Sequence, residues 1–168
     1  MRMSPFCIEL LGDHDRGAFD CGVAALNDYL RRLVTQDIRR NVTACYVAVE
    51  IATHRIAGYY TLAATGIPLT DLPAAVIRRL PRYPSVPAVR IGRLAIDCGY
   101  QGRRLGGSLL FDAIDRTRRS GIAAFAVVVD AKSEQAAEFY EHHGFVRFAS
   151  QPMPLFLPIA SAPRTDRA

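Results

Sequence analysis

The sequence feature that most constrains the fold is an apolar segment that runs through a glycine-rich, basic turn into an amphipathic helix. The apolar segment is Val89 to Asp97, the turn is Gln101-Gly-Arg-Arg-Leu-Gly-Gly107, and apolar residues recur at helical spacing from Leu105 to Arg119. A helix start offers N–H groups without internal partners and a partial positive charge, and glycines let the backbone approach a phosphate closely. This order predicts a cradle for a phosphate or pyrophosphate, although a glycine pair before a helix also fits an ordinary turn.

Composition narrows the class of protein. The chain has 168 residues, half of them hydrophobic, which suits one globular domain, predicted here at residues 1–160 with a frayed polar tail at 161–168. No apolar run is long enough to span a bilayer, and the first residues lack the apolar core of a signal peptide. The four cysteines are scattered without metal-ligand spacing, which predicts reduced, structural cysteines and no metal site.

The positively charged side chains of this protein are almost all arginines, which is informative about its partners. The formal net charge is +5, and Lys132 is the only lysine. The planar guanidinium fork matches phosphate geometry, so this composition favours a nucleic acid or a phosphorylated cofactor as partner. Arginine-biased codon usage would explain the same composition without any partner.

Hydrophobic periodicity and turn residues predict seven strands and four helices along the chain. The first helix follows Gly22, and its predicted buried stripe is Val23, Leu26, Leu30, Leu33 and Ile38. The predicted strands are Phe6–Leu11, Ala44–Ile51, Ile56–Ala64, Val89–Asp97, Ala123–Val129, Phe145–Phe148 and Leu155–Ile159, and the later helices are a short one after Thr70, Leu105–Arg119 and Ser133–His142.

A second cluster of informative residues begins at the apolar run Ala123 to Val129, which is typical of a strand buried on both faces. If this strand lies parallel to the central strand, the sheet can splay and open a slot at the strand ends, where open α/β sheets bind ligands. Asp97 and Asp130 each follow a strand, which favours capping or loop anchoring over acid–base chemistry. His142 and His143 end the last helix, where capping is the favoured interpretation.

The glycine-rich turn is neither a nucleotide P-loop nor a Rossmann fingerprint, because it lacks both consensus spacings. It resembles the acyl-CoA pyrophosphate loop of the GNAT (Gcn5-related) N-acetyltransferases, whose pattern is Gln/Arg-x-x-Gly-x-Gly/Ala. Gln101, Leu105 and Gly106 fit that pattern, and Arg104 stands where the family usually has its first glycine. The run Ala137-x-Phe139-Tyr140-x-x-x-Gly144-Phe145 resembles the family segment in which an aromatic pair precedes Gly-Phe.

The likeness extends over most of the chain. Further matching segments are Phe19-Asp-Cys-Gly22, Leu26-Asn27-x-x-Leu30, Gln36-Asp37, Gly58-Tyr59-Tyr60-Thr61-Leu62, Leu80-Pro81-x-Tyr83-Pro84-x-x-Pro87 and Gly92-Arg93-Leu94-Ala95-Ile96-Asp97. Taken together they resemble the GNAT toxins of bacterial toxin–antitoxin pairs. The resemblance implies an α/β (α+β) GNAT fold, with a mixed, mostly antiparallel central sheet splayed between two parallel strands and about four flanking helices.

The resemblance also implies an activity and partners. Such toxins transfer acetyl from acetyl-CoA to the α-amino group of aminoacyl-tRNA, which blocks translation in the cytoplasm. Their antitoxins are small ribbon-helix-helix DNA-binding proteins, and a homodimer is an expectation that the family alone supplies. Neither a membrane nor a metal is implied.

The same resemblance assigns residues to the acyl donor. Backbone groups of the central strand are expected to pair with the pantetheine amides, as an added strand pairs with a sheet edge. N–H groups of the turn and helix start are expected to hold the pyrophosphate. The predicted set is Leu94, Ala95, Ile96, Gln101, Gly102, Arg103, Arg104, Leu105, Gly106, Gly107, Ser108, Asp130 and Phe139.

Tyr140 is the predicted catalytic residue, because the corresponding tyrosine in this family often stands near the acyl-CoA sulfur and protonates the departing thiolate. A phenol is protonated at neutral pH and donates one directional hydrogen bond, which suits that role. The alternative is that Phe139 and Tyr140 are both core aromatics. No general base stands out, so the amine arrives neutral or loses its proton through water.

Arginines on the first helix, around the short helix and on the central strand are expected to bind tRNA phosphates through contacts that do not depend on base sequence. They are Arg31, Arg32, Arg39, Arg40, Arg78, Arg79, Arg82, Arg90 and Arg93. For the helix arginines, a solvated face is the simpler alternative. Two further hypotheses stay open: a GNAT enzyme for a small-molecule amine or a protein N-terminus, and a module that binds nucleic acid or protein without using CoA.

Overall fold

The computed structural model describes residues 3–151 and 153–164 and contains the mixed sheet that the sequence predicts. Seven strands form it in the order β1-β2-β3-β4-β5-β7-β6. They are β1 (Phe6–Leu10), β2 (Ala44–Glu50), β3 (Ile56–Pro68), β4 (Ser85–Ile96), β5 (Ala126–Asp130), β6 (Val146–Arg147) and β7 (Pro154–Pro158). The helices are α1 (Ala24–Asp28), which continues through a π-turn (Tyr29–Leu33) into α2 (Val34–Arg39), then α3 (Ala74–Ile77), α4 (Leu105–Arg119) and α5 (Glu134–His142).

The described residues group into two compact units. The first comprises residues up to 63 together with 92–113, and the second comprises 64–91 together with the residues from 114 onward. No helix in the described ranges is long and apolar enough to cross a membrane.

The first unit is built on the antiparallel strands β1, β2 and the start of β3. Phe6 pairs with Glu50, and Tyr46 pairs with Tyr60 across the β2–β3 hairpin that the sequence predicts. Helical and strand side chains share one buried cluster in this unit. Its members that are at most 3% exposed include Phe19, Tyr29, Leu30, Val34, Val47 and Tyr59.

The predicted buried stripe of the first helix is wrong at Leu33, because the helix contains a π-turn. Leu30 is fully buried as expected, but Leu33 is 51% exposed and Val34 is buried in its place. A π-turn places an extra residue in one turn, so the apolar face moves one position along the chain from there onward. Val23 is 50% exposed because it is the extended residue before α1 rather than part of the helix.

The second unit contains the parallel pair. Ala88–Ile91 of β4 pairs in parallel with Ala126–Val129 of β5, and β5 also pairs antiparallel with β7. The four residues of β5 from Ala126 to Val129 are at most 2% exposed, which confirms the prediction of a strand buried on both faces. The first residues of the predicted tail are held here, since the Arg118 guanidinium donates to the carbonyls of Ala162 and Pro163 at 3.0 and 3.1 Å. Residues 165–168 lie outside the described part.

Two helices have the limits that their sequence signals predict. α4 begins at Leu105, directly after the glycine-rich turn, and buries Leu109, Leu110 and Ala113. α5 begins after Ser133, whose hydroxyl accepts a hydrogen bond from the Ala136 N–H at 3.1 Å. At the other end of α5, a ring nitrogen of His143 lies 2.9 Å from the Phe139 carbonyl oxygen, which confirms the predicted capping.

Candidate functional site

The glycine-rich turn presents a row of backbone N–H groups without partners. Within the described residues, the N–H groups from Gly102 to Gly107 donate no hydrogen bond, and the first helical bond of α4 runs from the Ser108 N–H to the Arg104 carbonyl at 3.3 Å. The turn itself, Gln101 to Arg104, is exposed. These donors lie at the positive end of a helix of 15 residues, so the turn fits an anion with several oxygens, such as a pyrophosphate.

Arg104 has the backbone conformation that glycine favours. Its φ angle is +59°, in the left-handed region, and Gly102 two residues earlier has φ +78°. The left-handed conformation costs a residue with a Cβ roughly 1–2 kcal/mol. Arg104 occupies the position where the GNAT pattern has glycine, and its backbone adopts the left-handed conformation that glycine would adopt there, at this cost in free energy. The turn also carries two adjacent exposed guanidinium groups, on Arg103 and Arg104.

Two residues that sequence reasoning did not select hold the start of this turn. The Tyr100 hydroxyl donates to the Glu50 carboxylate at 2.7 Å, and the Arg103 guanidinium carbon lies 5.4 Å from the centre of the Tyr100 ring. Hydrogen bonds from Thr53 and Tyr100 hold the pKa of Glu50 below its ordinary value. Glu50 and Tyr100 are 50 positions apart in the sequence, so no local pattern connects them.

The strand before the turn continues beyond its parallel partner. Pairing of β4 with β5 ends at Ile91 and Val129, and β4 runs on to Ile96. Ala95 is 5% exposed, and Leu94 and Ile96 are partly exposed. The Gln101 side chain holds the strand end by donating to the Ile96 carbonyl at 3.2 Å. The backbone of this extension is the part that the sequence predicted to pair with pantetheine amides.

Tyr140 lies in an aromatic cluster of the second unit. Its ring centre is 5.2 Å from that of Phe139 and 5.5 Å from that of Phe145. Burial raises the pKa of Tyr140 to about 12, and no described residue forms a hydrogen bond with its hydroxyl group. A phenol in this environment is protonated at all physiological pH values and has its donor free for a ligand.

The helix that carries Tyr140 is tied to the strand after it. The Arg147 side chain forms ion pairs with Glu134 at 2.5 Å and with Glu141 at 2.7 Å, so it links both ends of α5. These bonds lower the pKa of Glu134. The cap at Ser133 and these ion pairs hold α5, the helix that carries Tyr140.

Asp130 and Arg90 were predicted to contact different ligands, and the structure brings them together. Asp130 ends β5, and its carboxylate accepts a hydrogen bond from the Arg90 guanidinium in an ion pair. Both side chains are more than a third exposed. Each group therefore neutralises much of the charge that the other could offer to a ligand.

The other predicted phosphate-binding arginines fall into two groups. One group is exposed and has no partner in the described chain: Arg32, Arg39 and Arg40 in the first unit, and Arg78, Arg79 and Arg82 in the second. Arg31 is exposed but also donates to the Phe19 carbonyl. Arg93 is partly buried, with its guanidinium carbon 3.4 Å from the centre of the Tyr29 ring, so one face of that group is already occupied.

The cysteines in the structure are all free, and no group of His, Cys, Asp and Glu among the described residues has the arrangement of a metal site. Burial raises the pKa of Cys45 to about 12, so its thiol is unreactive. The described site residues offer unpartnered N–H groups that suit an anion and the partly exposed phenol of Tyr140.

Comparison with known proteins assigns the family. Residues 36–153 match the family model described as an acetyltransferase (GNAT) domain. The chain belongs to the GNAT acetyltransferase family. The turn with free N–H groups, the strand extension before it and the aromatic pair on α5 all lie within the matched residues.

Two relatives cover most of the chain. A tRNA-acetylating toxin from Mycobacterium tuberculosis is 33% identical over 150 residues, which cover 88% of each protein. A probable toxin TacT from Sinorhizobium fredii is 30% identical over 159 residues, which cover 88% of this chain and 87% of the relative.

Solved structures of GNAT toxins superpose on almost the whole chain. AtaT in complex with acetyl-methionyl-tRNAfMet is 29% identical with a TM-score of 0.85, covering 93% of this chain and 96% of AtaT. AtaTR bound to AcCoA is 30% identical with a TM-score of 0.79, covering 95% and 96%. A variant of the AtaT toxin bound to the C-terminus of the antitoxin AtaR is 28% identical with a TM-score of 0.78, covering 94% and 96%. These matches confirm the predicted GNAT fold.

Proposed function

We propose that this chain is a toxin that transfers acetyl from acetyl-CoA to the α-amino group of aminoacyl-tRNA and thereby blocks translation. The observation that carries the proposal is its similarity, over 88% of its length, to a tRNA-acetylating toxin. A second match, to AtaT in complex with acetyl-methionyl-tRNAfMet, supports the same acceptor.

The acyl donor fits the residues of the first unit. The free N–H groups from Gly102 to Gly107 bind the pyrophosphate, and the guanidinium groups of Arg103 and Arg104 add charge-assisted hydrogen bonds. The backbone of Leu94 to Ile96 pairs with the pantetheine amides as an added strand would. Holding the donor in this way converts part of its binding energy into orientation of the thioester.

The transfer needs no covalent enzyme intermediate. The amine lone pair attacks the thioester carbonyl, a C–N bond forms, the C–S bond breaks, and the sulfur leaves as a thiolate that takes up one proton. Tyr140 donates a hydrogen bond to this sulfur and supplies the proton, and the attacking nitrogen loses its proton to water. The Tyr140 phenolate then regains a proton from solvent, which closes the cycle. The free hydroxyl of Tyr140 supports this role, and the raised pKa of Tyr140 keeps the phenol protonated at neutral pH.

The exposed arginines supply the attraction for tRNA. Arg32, Arg39 and Arg40 on the first helix, with Arg78, Arg79 and Arg82 around α3, carry guanidinium groups in solvent. Contacts of this kind bind phosphates of any sequence and weaken with salt. Arg31, Arg90 and Arg93 remain in the proposed set, but each already has a partner within the chain.

Two further proposals follow from the relatives. We propose a partner antitoxin, supported by the solved structures of an AtaT toxin variant bound to the C-terminus of the antitoxin AtaR and of a KacTA–DNA complex. The ribbon-helix-helix class of this antitoxin is a prediction from the family resemblance. We place the activity in the cytoplasm, where charged tRNA is used. A homodimer stays a prediction from the family.

The experiment that tests the function is acetyl transfer from labelled acetyl-CoA to tRNA. We expect label in a pool of aminoacyl-tRNA and none in the same pool after its amino acids have been removed. Wild-type protein that binds acetyl-CoA but leaves charged tRNA unlabelled would exclude this acceptor. Label in small amines or peptide N-termini under those conditions would favour the alternative enzyme classes.

A further inference from the structure

A hydrogen-bonded network beneath the glycine-rich turn connects it to the segment before the first helix. Its centre is Asp97, which follows β4 and is only 5% exposed. One carboxylate oxygen of Asp97 accepts from the Gly99 N–H at 2.8 Å, and the other accepts from the Asp20 N–H at 2.9 Å. The Cys98 N–H donates back to the Asp20 carbonyl at 2.8 Å. Asp97 and Cys98, which lead into the turn through the 3-10 turn Cys98–Tyr100, are thus both bonded to the backbone of Asp20, which lies 77 positions earlier than Asp97.

The segment that receives these bonds is itself fixed. The Asp20 carboxylate accepts from the Gly22 N–H at 2.8 Å and from the Asn27 side-chain amide at 2.9 Å. Asn27 is 8% exposed, and its side-chain oxygen accepts from the Cys21 N–H at 2.9 Å. Hydrogen bonds from Gly22 and Asn27 hold the pKa of Asp20 below its ordinary value.

We infer that Asp97, Asp20 and Asn27 are positioning residues for the pyrophosphate of acetyl-CoA, acting through the backbone of the glycine-rich turn. The inference rests on the proposed function. The turn has no secondary structure between Gln101 and Arg104, so the direction of its N–H groups depends on where its first residues are held. A buried carboxylate that accepts two backbone N–H groups holds them firmly, because each such bond is charge-assisted and shielded from water.

The network predicts a selective defect. Asp97→Asn keeps the size of the side chain but turns one of the two acceptor oxygens into a donor that faces a backbone N–H. We expect the Kd of acetyl-CoA to rise at least about tenfold, because one charge-assisted hydrogen bond is lost and the new side-chain NH2 group faces a backbone N–H group. Activity with S-acetylpantetheine, which has the thioester but no pyrophosphate, should stay within about twofold of wild type, because the turn does not contact this donor.

Two substitutions of Asp20 provide an independent test in case Asp97→Asn does not fold. Asp20 is exposed, so Asp20→Ala should remain folded and raise the Kd of acetyl-CoA about fivefold, as its two accepted bonds are lost. Asp20→Asn retains an acceptor oxygen and should restore most of the affinity. Asp28→Ala, at an exposed position of α1 next to Asn27, is the matched control and should behave as wild type.

The decisive measurement is calorimetric binding of acetyl-CoA together with kcat/KM for S-acetylpantetheine in each variant. Loss of acetyl-CoA affinity with unchanged use of S-acetylpantetheine would support the inference. Unchanged affinity in Asp97→Asn and Asp20→Ala, or equal loss with both donors, would overturn it. If the wild-type protein itself bound no acetyl-CoA, the proposed function would fail, and the inference with it.

Discussion

At the scale of single residues, Tyr140 is the side chain whose environment is most closely matched to a chemical role. It is packed against Phe139 and Phe145, and its hydroxyl has no hydrogen-bond partner in the described part of the chain. Tyr140 is partly exposed, and among the described residues no buried side-chain N or O atom lacks a partner, so its hydroxyl is accessible from outside. An accessible hydroxyl without a partner in the described chain can donate a hydrogen bond to a ligand, which favours the donor role over that of a core aromatic.

Tyr140→Phe should lower kcat by about 10²-fold or more, because it removes the proton donor while keeping the ring and its packing. The Kd of acetyl-CoA should be unchanged within about twofold, since the turn that holds the pyrophosphate is intact. Single-turnover transfer and equilibrium binding measure the two effects separately. Wild-type turnover in this variant would remove the general-acid role.

The pKa of Tyr140 also predicts the pH profile. Because burial raises the pKa of Tyr140 to about 12, the phenol stays protonated over the pH range of the assay, up to about pH 10. The rate should therefore rise as the substrate amine, with an ordinary pKa of about 7.7–8.0, deprotonates, and should then stay level up to about pH 10. Initial rates corrected for intact aminoacyl-tRNA give this profile. A fall in rate below about pH 10 that is absent from the residual activity of Tyr140→Phe would contradict it.

Arg104→Gly tests the backbone of the turn. Glycine adopts φ +59° without the Cβ penalty, so the free energy of unfolding should rise by up to about 1 kcal/mol. Acetyl-CoA should bind severalfold more weakly, because the Arg104 guanidinium is lost. Arg103→Gly is the control, since its φ is not in the left-handed region and glycine there should destabilise. Urea unfolding and calorimetry measure both quantities, and equal stability changes in the two variants would argue against backbone strain at Arg104.

At the scale of secondary-structure elements, the close approach of β3, β4 and α4 depends on one glycine. A Cβ on Gly58 would lie 2.9 Å from the Ile96 side chain and 3.0 Å from both the Ala95 carbonyl oxygen and the Leu109 side chain. Ala95 and Ile96 belong to the strand extension proposed to bind pantetheine. The space next to that extension is therefore fixed by the absence of a side chain on β3.

Gly58→Ala should lower the free energy of unfolding by about 1–3 kcal/mol, as overpacking does in a core where backbone cannot move aside. Gly66→Ala in the same strand is the matched control, because the nearest atom to its Cβ would be 3.6 Å away and the change should be within about 0.5 kcal/mol of zero. Urea denaturation of both variants provides the comparison. Similar destabilisation by both would mean that strand propensity, not packing, sets the effect.

Elements with local signals could be predicted from the sequence, and those shaped by tertiary contacts could not. The limits of α4 follow from a glycine pair and an amphipathic repeat, and those of α5 from Ser133 and Gly144. The π-turn after α1 has no comparable local signal. It places Tyr29 where its ring packs against Arg93 and its hydroxyl donates to Asp37 at 2.8 Å, and the contact with Arg93 exists only in the folded chain.

At the scale of the whole molecule, the sequence predicts which residues contact a ligand better than it predicts which distant residues hold those residues in place. The turn and the aromatic pair are each contiguous in sequence, so a motif reveals them. Their supports are not: Asp20 meets Asp97, and Glu50 meets Tyr100, across 77 and 50 positions. An excess of arginine is visible in the composition, whereas only the structure distinguishes the free guanidinium groups from those of Arg90 and Arg93, which are paired within the chain.

The charge of the whole chain belongs to the same scale. A net charge of +5, carried by exposed arginines in both units, attracts a polyanion such as tRNA and gives no advantage with a small neutral amine. The charge therefore favours a nucleic-acid-linked amine as acceptor.

The measurement that tests the central claim most directly is the mass of the amino acid released by mild alkali from aminoacyl-tRNA after incubation with the protein and acetyl-CoA. We predict an amino acid heavier by one acetyl group, blocked at its α-amino group, with wild-type protein and only a trace with Tyr140→Phe. Unmodified amino acids from a wild-type reaction in which acetyl-CoA is shown to bind would contradict the assignment of aminoacyl-tRNA as the acceptor.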